Sequence, residues 1–234
     1  MADTNSLANS IFKAYDIRGI VDKTLTEDAV YRVGAALALS AAEKGVASMV
    51  IGRDGRLSGP RLTAALARGI NAGGVDVIDI GMVPTPVVYY GTFELETGSG
   101  VAVTGSHNPP EYNGLKMMVA GVTLYGDAIQ ALYQVAASSD LDERLAAIRP
   151  GKTREVDLLG KYMSRITGDI KLARPMKVAI DCGNGVAGAV APELFKALGC
   201  ELEELFCDVD GNFPNHHPDP AHPENLQDLM ACLR

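Results

Sequence analysis

The ten residues VAVTGSHNPP, at positions 101–110, decide our interpretation of the fold. Residues 101–103 form a short apolar run that predicts a buried strand, and Gly105 allows the chain to turn sharply where this strand ends. Ser106 then stands at the carboxyl end of the strand, where open α/β sheets bind their ligands, and the two prolines restrict the loop. The loop therefore either presents a nucleophile or is a surface turn whose polar side chains satisfy the backbone.

Strand and helix patterns alternate on both sides of this loop. Thr26 predicts the start of a helix with an apolar stripe, and Ser58 predicts the start of a second helix whose first turn accommodates a proline. Asn113 and Gly114 predict a turn before a hairpin. In chain order, the predicted elements are an edge segment over 11–19, a helix over 26–44, a strand over 48–52, a helix over 58–74, a strand over 75–80, a helix over 84–94, the strand at 101–103, a hairpin over 115–125 and a helix over 126–147. This alternation predicts an α/β fold with mixed, mostly parallel sheets sandwiched by helices.

We predict two domains, residues 1–150 and residues 151–234, because RPGKTR at 149–154 has the composition of a linker. The elements predicted for the second unit are a helix over 157–170, strands over 176–181 and 201–206, a helix opened by GNGVAG between these strands, and a final helix from residue 224. Two strands and their helices bury only a small core. This unit is therefore predicted to be part of a domain.

Composition and charge exclude several classes of protein. The chain has 234 residues, of which 47% are hydrophobic, and a formal net charge of -8. An acidic chain without a clustered basic patch is not expected to bind nucleic acid or an acidic membrane surface. The sequence has no signal-peptide pattern and no apolar run of transmembrane length, so we expect a cytoplasmic protein. Its four cysteines lack the spacing of a zinc site and are expected to be reduced.

Two further patterns allow alternative functions. The sequence GNGVAG at 183–188 follows a predicted strand and fits the Gly-x-Gly-x-x-Gly fingerprint, which leaves a dinucleotide-binding dehydrogenase as a distant alternative. Little chain follows this motif to build such a fold. The loop at 208–223 is rich in Asp and His, but its prolines and irregular spacing favour an ordered connection over a metal site.

Arginines beside the predicted strands can bind phosphate or form ion pairs. Arg18 precedes a glycine that permits close approach, so it is either a phosphate-binding fork or the ion-pair partner of Asp16 or Asp22. The two arginines and the aspartate of GRDGRLSG, at 52–59, predict a network that fixes this loop rather than a contact with substrate.

Five motifs in this order resemble those of the α-D-phosphohexomutases, the phosphomannomutase/phosphoglucomutase group. They are FKAYDIRG from residue 12, GRDGRLSG from 52, TGSHNPPEYNGLKMM from 104, DCGNGVAG from 181 and FPNHHPDP from 213. Together they extend over most of the chain. The resemblance implies phosphohexomutase domain I, with its phosphoserine loop, followed by most of domain II. We therefore expect the chain to be the amino-terminal half of a longer, four-domain enzyme.

The resemblance also implies roles for individual residues. Ser106 would carry the phosphoryl group, which makes the protein a phosphoprotein, and Lys116 would transfer the proton. The catalytic residues implied are Ser106, Lys116 and His107, and those that bind substrate or phosphate are Tyr15, Arg18 and Asn108.

The activity implied is an intramolecular phosphotransferase that interconverts the 1- and 6-phosphates of mannose or glucose. Hexose 1,6-bisphosphate would be both the intermediate and the activator. The phosphosugar substrate would be the only partner, and the protein would be a monomer or a weak oligomer. Mg²⁺ would bind the phosphate on Ser106. Its other ligands, an Asp-Gly-Asp-Gly-Asp-Arg loop, are absent from this sequence and expected beyond Arg234, so the chain alone would be inactive. Phosphoglucosamine mutase, to whose motif AYDIRG is less similar, and a non-catalytic phosphosugar-binding fragment are the alternatives.

Overall fold

The strand predicted from residues 101–103 lies inside the larger of two sheets. The computed structural model describes residues 7–233. The strands of the larger sheet are β1 (Ile17–Ile20), β2 (Ser48–Arg53), β3 (Asp76–Met82), β4 (Gly100–Val103), β5 (Tyr112–Val119), β6 (Val122–Thr123) and β7 (Thr153–Glu155). They lie in the order β1-β5-β4-β2-β3-β7, with β6 paired to β5. All of β4 is buried, as the apolar run predicts.

The sheet has a parallel part and an antiparallel part. Strands β4, β2, β3 and β7 are parallel, whereas β5 runs antiparallel to β4, β1 and β6. The connection from β4 to β5 contains Ser106, so this residue lies between two neighbouring strands. In the register of this pair, Lys116 stands opposite Ala102.

Helices cover both faces of this sheet, which confirms the predicted α/β class. The helices of this part are α1 (Glu27–Ala42), α2 (Gly59–Ala72), α3 (Thr85–Glu94), α4 (Asp127–Ala136) and α5 (Leu141–Ala146). Since successive strand residues point to opposite faces, Val101 and Val103 pack with residues of α1, α2 and α4, whereas Ala102 packs with residues of α3. The predicted N-cap of α1 is confirmed, because the Thr26 hydroxyl accepts a hydrogen bond from the Ala29 amide at 3.1 Å.

The predicted turn at Asn113 and Gly114 is wrong, since both residues lie inside β5. Gly114 is needed there because a Cβ at this position would lie 2.2 Å from the carbonyl oxygen of Ile17 on β1. Ser58 is the N-cap residue of α2, as predicted, but its hydroxyl makes no capping bond. The hydroxyl instead accepts a hydrogen bond from the Asn113 side chain at 2.9 Å.

The single helix predicted over residues 126–147 is two helices, α4 and α5. Between them the Ser138 hydroxyl donates to the Asp140 carboxylate. The break falls at Ser138, Ser139 and Asp140, and serine and aspartate favour turns and helix caps over helix interiors.

The second sheet pairs two parallel strands, β8 (Lys177–Asp181) and β9 (Glu201–Leu205). Its helices are α6 (Leu159–Asp169), α7 (Ala191–Ala197) and α8 (Gln227–Cys232), with 3-10 turns at Val186–Ala189 and Pro223–Leu226. The strand β7 includes residues that we predicted as linker, yet it pairs with β3 of the first sheet. The division into domains at residue 150 stays a prediction. Within the described part of the chain, no helix has both the length and the apolar composition to span a bilayer.

Candidate active site

Ser106 has a backbone conformation that is uncommon for a residue with a side chain. Its φ of 54° lies in the left-handed region, where a Cβ is unfavourable, and its side chain is exposed beyond the end of β4. The Ser106 amide donates to the Thr104 hydroxyl oxygen at 2.9 Å. Such conformations persist where the surrounding structure imposes them, and they are concentrated at active sites.

Asp54, directly after β2, holds the first residues of this loop through hydrogen bonds. Its Oδ2 accepts hydrogen bonds from the Thr104 hydroxyl at 2.7 Å and from the Gly105 amide at 3.1 Å. Its Oδ1 accepts from the Arg56 amide at 3.0 Å. One buried carboxylate therefore ties the ends of β2 and β4 together.

Arg56 fixes the rest of the loop. Its side chain is 1% exposed, and its Nε lies 3.4 Å from Asp54 Oδ2. The guanidinium donates to four carbonyl oxygens of the loop and of the first residue of β5, those of Ser106 (3.0 Å), Asn108 (2.6 Å), Pro109 (2.6 Å) and Tyr112 (3.0 Å). Burial lowers the pKa of Arg56, and the neighbouring Asp54 carboxylate opposes this shift. The predicted network of Arg and Asp in GRDGRLSG is confirmed for these two residues.

The loop sequence fits this arginine closely. A Cβ at Gly105 would lie 2.3 Å from Arg56 Cζ, so only glycine leaves room for the guanidinium. The Asn108 side chain donates to the Gly105 carbonyl at 3.0 Å and so closes the turn from within. His107 is exposed, and its Nδ1 lies 3.4 Å from Ser106 Oγ.

The other predicted site residues lie on or before the antiparallel strands. Lys116 is half-buried on β5, opposite the residue four positions before Ser106. Arg18 on β1 stands opposite Gly114, whose carbonyl accepts from the Thr104 amide at 3.0 Å. Arg18 pairs with Asp16, which is one of its two predicted roles, and its binding of phosphate stays a prediction. Tyr15 is 76% exposed in the segment before β1.

A cleft of about 280 Å³ separates the Ser106 loop from the second sheet. Its walls include Asp54, Thr104 and Ser106 on one side and Cys182, Val186 and Phe213 on the other. The motifs GNGVAG and FPNHHPDP therefore face the exposed serine.

The GNGVAG segment is shaped by its packing against the loop after β9. A Cβ at Gly188 would lie 1.9 Å from the Cys207 carbonyl oxygen. Asn184 has a φ of 56° and a buried side chain, which donates to the Asp208 carbonyl at 2.9 Å and accepts from Asn215 at 2.8 Å. The segment opens only a 3-10 turn, whereas a dinucleotide-binding motif opens a helix that faces the pyrophosphate.

His216 orders the Asp- and His-rich loop. Its Nε2 lies 2.9 Å from Asp181 Oδ2, and its Nδ1 lies 3.0 Å from the His217 carbonyl oxygen. Burial opposes the charged ring, but the hydrogen bonds to His217 and Asp181 outweigh burial and raise the pKa of His216. Residues 7–233 contain no group of three or more His, Cys, Asp and Glu residues able to hold a metal ion. The contacts of His216 agree with an ordered connection, and the expectation that this loop binds no metal stays a prediction.

Sequence reasoning missed two residues of the site, Thr104 and Phe213. Thr104 links Asp54 to Ser106, and its position directly before Gly-Ser was the available signal. The Phe213 ring centroid lies 5.2 Å from Arg56 Cζ and covers the guanidinium. Residues so distant in the chain give no local sign of this contact.

The fold and the loop define an α/β protein that presents one serine from a fixed turn toward a cleft. Comparison with known families then identifies its relatives. Residues 9–143 match the model "Phosphoglucomutase/phosphomannomutase, alpha/beta/alpha domain I", and residues 160–234 match that of domain II. The chain belongs to the phosphoglucomutase/phosphomannomutase family.

Individual relatives agree with this assignment. The chain is 56% identical over 229 residues to a phosphoglucomutase of Neisseria meningitidis serogroup A, with 98% of the chain and 49% of the relative covered. It is 52% identical over 233 residues to a phosphomannomutase/phosphoglucomutase of Pseudomonas aeruginosa, with 100% of the chain and 49% of the relative covered. A crystal structure of a phosphoglucomutase/phosphomannomutase family protein from Burkholderia thailandensis is similar with a TM-score of 0.89 and 51% identity, over 97% of this chain and 50% of that one. The chain spans about half the length of the curated relatives it matches.

Proposed function

We propose that the chain provides the phosphoserine part of a phosphohexomutase, in which Ser106 receives and returns a phosphoryl group. The observation that carries the proposal is the exposed Ser106 hydroxyl in a left-handed conformation, on a loop fixed by Asp54 and Arg56. Phosphoryl transfer depends chiefly on positioning and on electrostatic stabilisation, and this loop supplies the positioning. Family membership supports the same chemistry.

The reaction needs two bond changes and one proton transfer. Ser106 Oγ would attack the phosphorus of a hexose 1,6-bisphosphate, so that one P–O bond forms while the bond to the sugar oxygen breaks. The proton of the serine would pass to that oxygen, and in the reverse transfer the sugar hydroxyl would return it. We assign this proton transfer to Lys116, which lies on the strand that follows the loop.

The remaining predicted residues would hold phosphate and loop. His107 Nδ1, 3.4 Å from Ser106 Oγ, would hydrogen-bond the serine oxygen, and Asn108 would keep the turn closed. Arg18 would bind the phosphate of the substrate with the guanidinium edge that Asp16 does not occupy. Tyr15, with its exposed ring, would line the sugar side of the cleft.

Mg²⁺ fits this chain only through the phosphate on Ser106. Asp54, whose carboxylate holds the first residues of the loop, already accepts three hydrogen bonds, and residues 7–233 offer no cluster of three ligands. When bound, the ion would neutralise charge on the transferring phosphoryl group. Its other ligands would come from outside the described residues, so we expect the chain alone to bind phosphosugar without turnover.

For the substrate we propose glucose and mannose phosphates, because the relatives are named phosphoglucomutase and phosphomannomutase/phosphoglucomutase. Phosphoglucosamine mutase activity and phosphosugar binding without catalysis remain the other candidates from the motifs. Assays of the same preparation with glucose, mannose and glucosamine phosphates would separate the three.

The test is mutase turnover of the protein as its gene encodes it, with Ser106→Ala and Ser164→Ala compared. Ser164 is an exposed serine on α6 and serves as the matched control. We expect Ser106→Ala to abolish interconversion of the 1- and 6-phosphates and Ser164→Ala to leave it unchanged. Equal turnover in both variants would refute the proposed role of Ser106.

A further inference from the structure

We propose that Arg56 is a positioning residue for phosphoryl transfer and that Phe213 holds it in place from the second sheet's side. This inference rests on the proposed function of Ser106. Neither residue needs to touch the substrate, because both would act through the geometry of the loop.

Arg56 has the contacts that such a role requires. Every hydrogen bond that its guanidinium donates to the loop goes to a carbonyl oxygen, including that of Ser106 itself at 3.0 Å. Five donors in a rigid planar fork allow one arginine to fix four acceptors at once, which an ammonium group cannot do. Arg56 therefore holds the carbonyl side of Ser106, while Thr104 and Asp54 hold its amide side.

The direction of these bonds matters for a phosphate on Ser106. The negative ends of four carbonyl dipoles point inward to the arginine rather than toward the exposed hydroxyl. A phosphoryl group on Ser106 thus avoids repulsion from the oxygens of its own loop. A substitution of Arg56 that displaced the loop slightly would therefore change the position of Ser106 Oγ. It would also change the repulsion between the loop carbonyls and the phosphoryl group.

Phe213 connects the arginine to the segment after β9. Its ring lies over the guanidinium, and Val209 and Gly211 pack directly against the backbone of residues 55–57. A Cβ at Gly211 would lie 2.7 Å from the Gly55 carbonyl oxygen, so only glycine allows the two segments to lie this close together. The segment after β9 therefore packs against Arg56, the residue that we propose orients Ser106.

Rapid-quench measurements of phosphate transfer from glucose 1,6-bisphosphate to the gene-encoded protein test the role of Arg56. Arg56→Lys keeps the charge but loses the fork, and we expect the rate constant to fall about 100-fold, the size typical of a small misplacement of reacting groups. The bisphosphate concentration at half-maximal rate should stay within about twofold of wild type, because Arg56 contributes no uniform binding. If Arg56 only stabilised the fold, the variant would transfer phosphate with a wild-type rate constant but a lower amplitude, because a smaller fraction of the protein would be folded. That result would overturn the inference.

Two further variants keep the test decisive. Phe213→Leu leaves all four hydrogen bonds possible and should lower the rate constant about fivefold through the lost contact between ring and cation. If Arg56→Lys does not fold, Phe213→Leu decides alone, and a wild-type rate constant in it would refute the inference. Ser106→Ala separates the two proposals, since phosphate incorporation in that variant would refute the role of Ser106, whereas a wild-type rate in Arg56→Lys refutes only that of Arg56.

Discussion

The Ser106 loop and the GNGVAG segment use similar backbone conformations for opposite purposes. Ser106 follows β4, which pairs in parallel with β2, and Asn184 follows β8, which pairs in parallel with β9. Their φ values of 54° and 56° are nearly the same. The Asn184 side chain is buried and bonded to Asp208 and Asn215. The Ser106 side chain is exposed, and within residues 7–233 its hydroxyl has only His107 as a hydrogen-bond partner. A left-handed residue therefore marks a candidate active site only when its side chain is left free for other chemistry.

The largest stability effect we expect comes from adding a methyl group to the glycine of each segment. Gly105→Ala would place Cβ against Arg56, and Gly188→Ala would place it against the Cys207 carbonyl. Each should lower the free energy of unfolding by about 3 kcal/mol, since neither neighbour can move away without losing its own contacts. Chemical denaturation of the chain measures both.

Gly160→Ala is the matched control for these two variants. Gly160 lies in α6 with no atom within 4 Å of an added Cβ, so alanine should stabilise the chain by about 0.5 kcal/mol. A loss at Gly160 equal to that at Gly105 and Gly188 would contradict the explanation by close packing.

The next largest difference in stability between the two segments should come from truncating the side chains of Ser106 and Asn184, the two residues with a left-handed backbone. Asn184→Ala leaves the Asp208 carbonyl and the Asn215 amide without their partner and should cost about 2 kcal/mol. Ser106→Ala removes no buried contact and should change stability by less than about 0.5 kcal/mol. Thermal unfolding of both variants checks this, and equal losses would mean that the serine is as structural as the asparagine.

Relief of backbone strain gives a smaller effect of the opposite sign. Ser106→Gly should stabilise the chain by roughly 1 kcal/mol, because glycine adopts a positive φ without a Cβ clash. Asn184→Gly should still destabilise it, since the lost hydrogen bonds exceed the strain relieved. A denaturant midpoint for Ser106→Gly below that of wild type would show that the serine conformation is unstrained.

The smallest effect is the pH dependence contributed by His216. Its pKa is raised in the folded chain, so its stabilisation is complete below the unfolded value of about 6.5 and is lost as pH rises through the folded value. The stability difference between wild type and His216→Gln should therefore shrink from about pH 6 to pH 8. Unfolding free energies across this range measure it, and a difference that grows with pH would contradict the assigned ion pair with Asp181.

The fold was largely predictable because its signals are local. The apolar run at β4 and the Thr26 cap each depend on neighbouring residues, and both were confirmed. The alternation of strands and helices was confirmed as well, except that the helix predicted over 126–147 is two helices. Two of the errors, at Ser58 and Gly114, arose where a contact with a distant residue gives the same residue type another use. Gly114 has the sequence of a turn, but the close approach of β1 is what requires it.

The loop that carries Ser106 was predictable from its sequence motif, whereas the side-chain contacts that hold this loop were less predictable. The residues TGSHNPP indicated an exposed serine on a rigid loop, and GRDGRLSG indicated the network beneath it. That one arginine would bind four carbonyls, or that Phe213 would cover it, depends on contacts between residues about 50 to more than 150 positions apart, which no local pattern encodes.

A phosphopeptide map tests the central claim most directly. The gene-encoded protein would be treated with glucose 1,6-bisphosphate, digested and analysed by mass spectrometry. We predict a single added phosphoryl group on Ser106. A phosphoryl group on any other residue, or on none, would contradict the account.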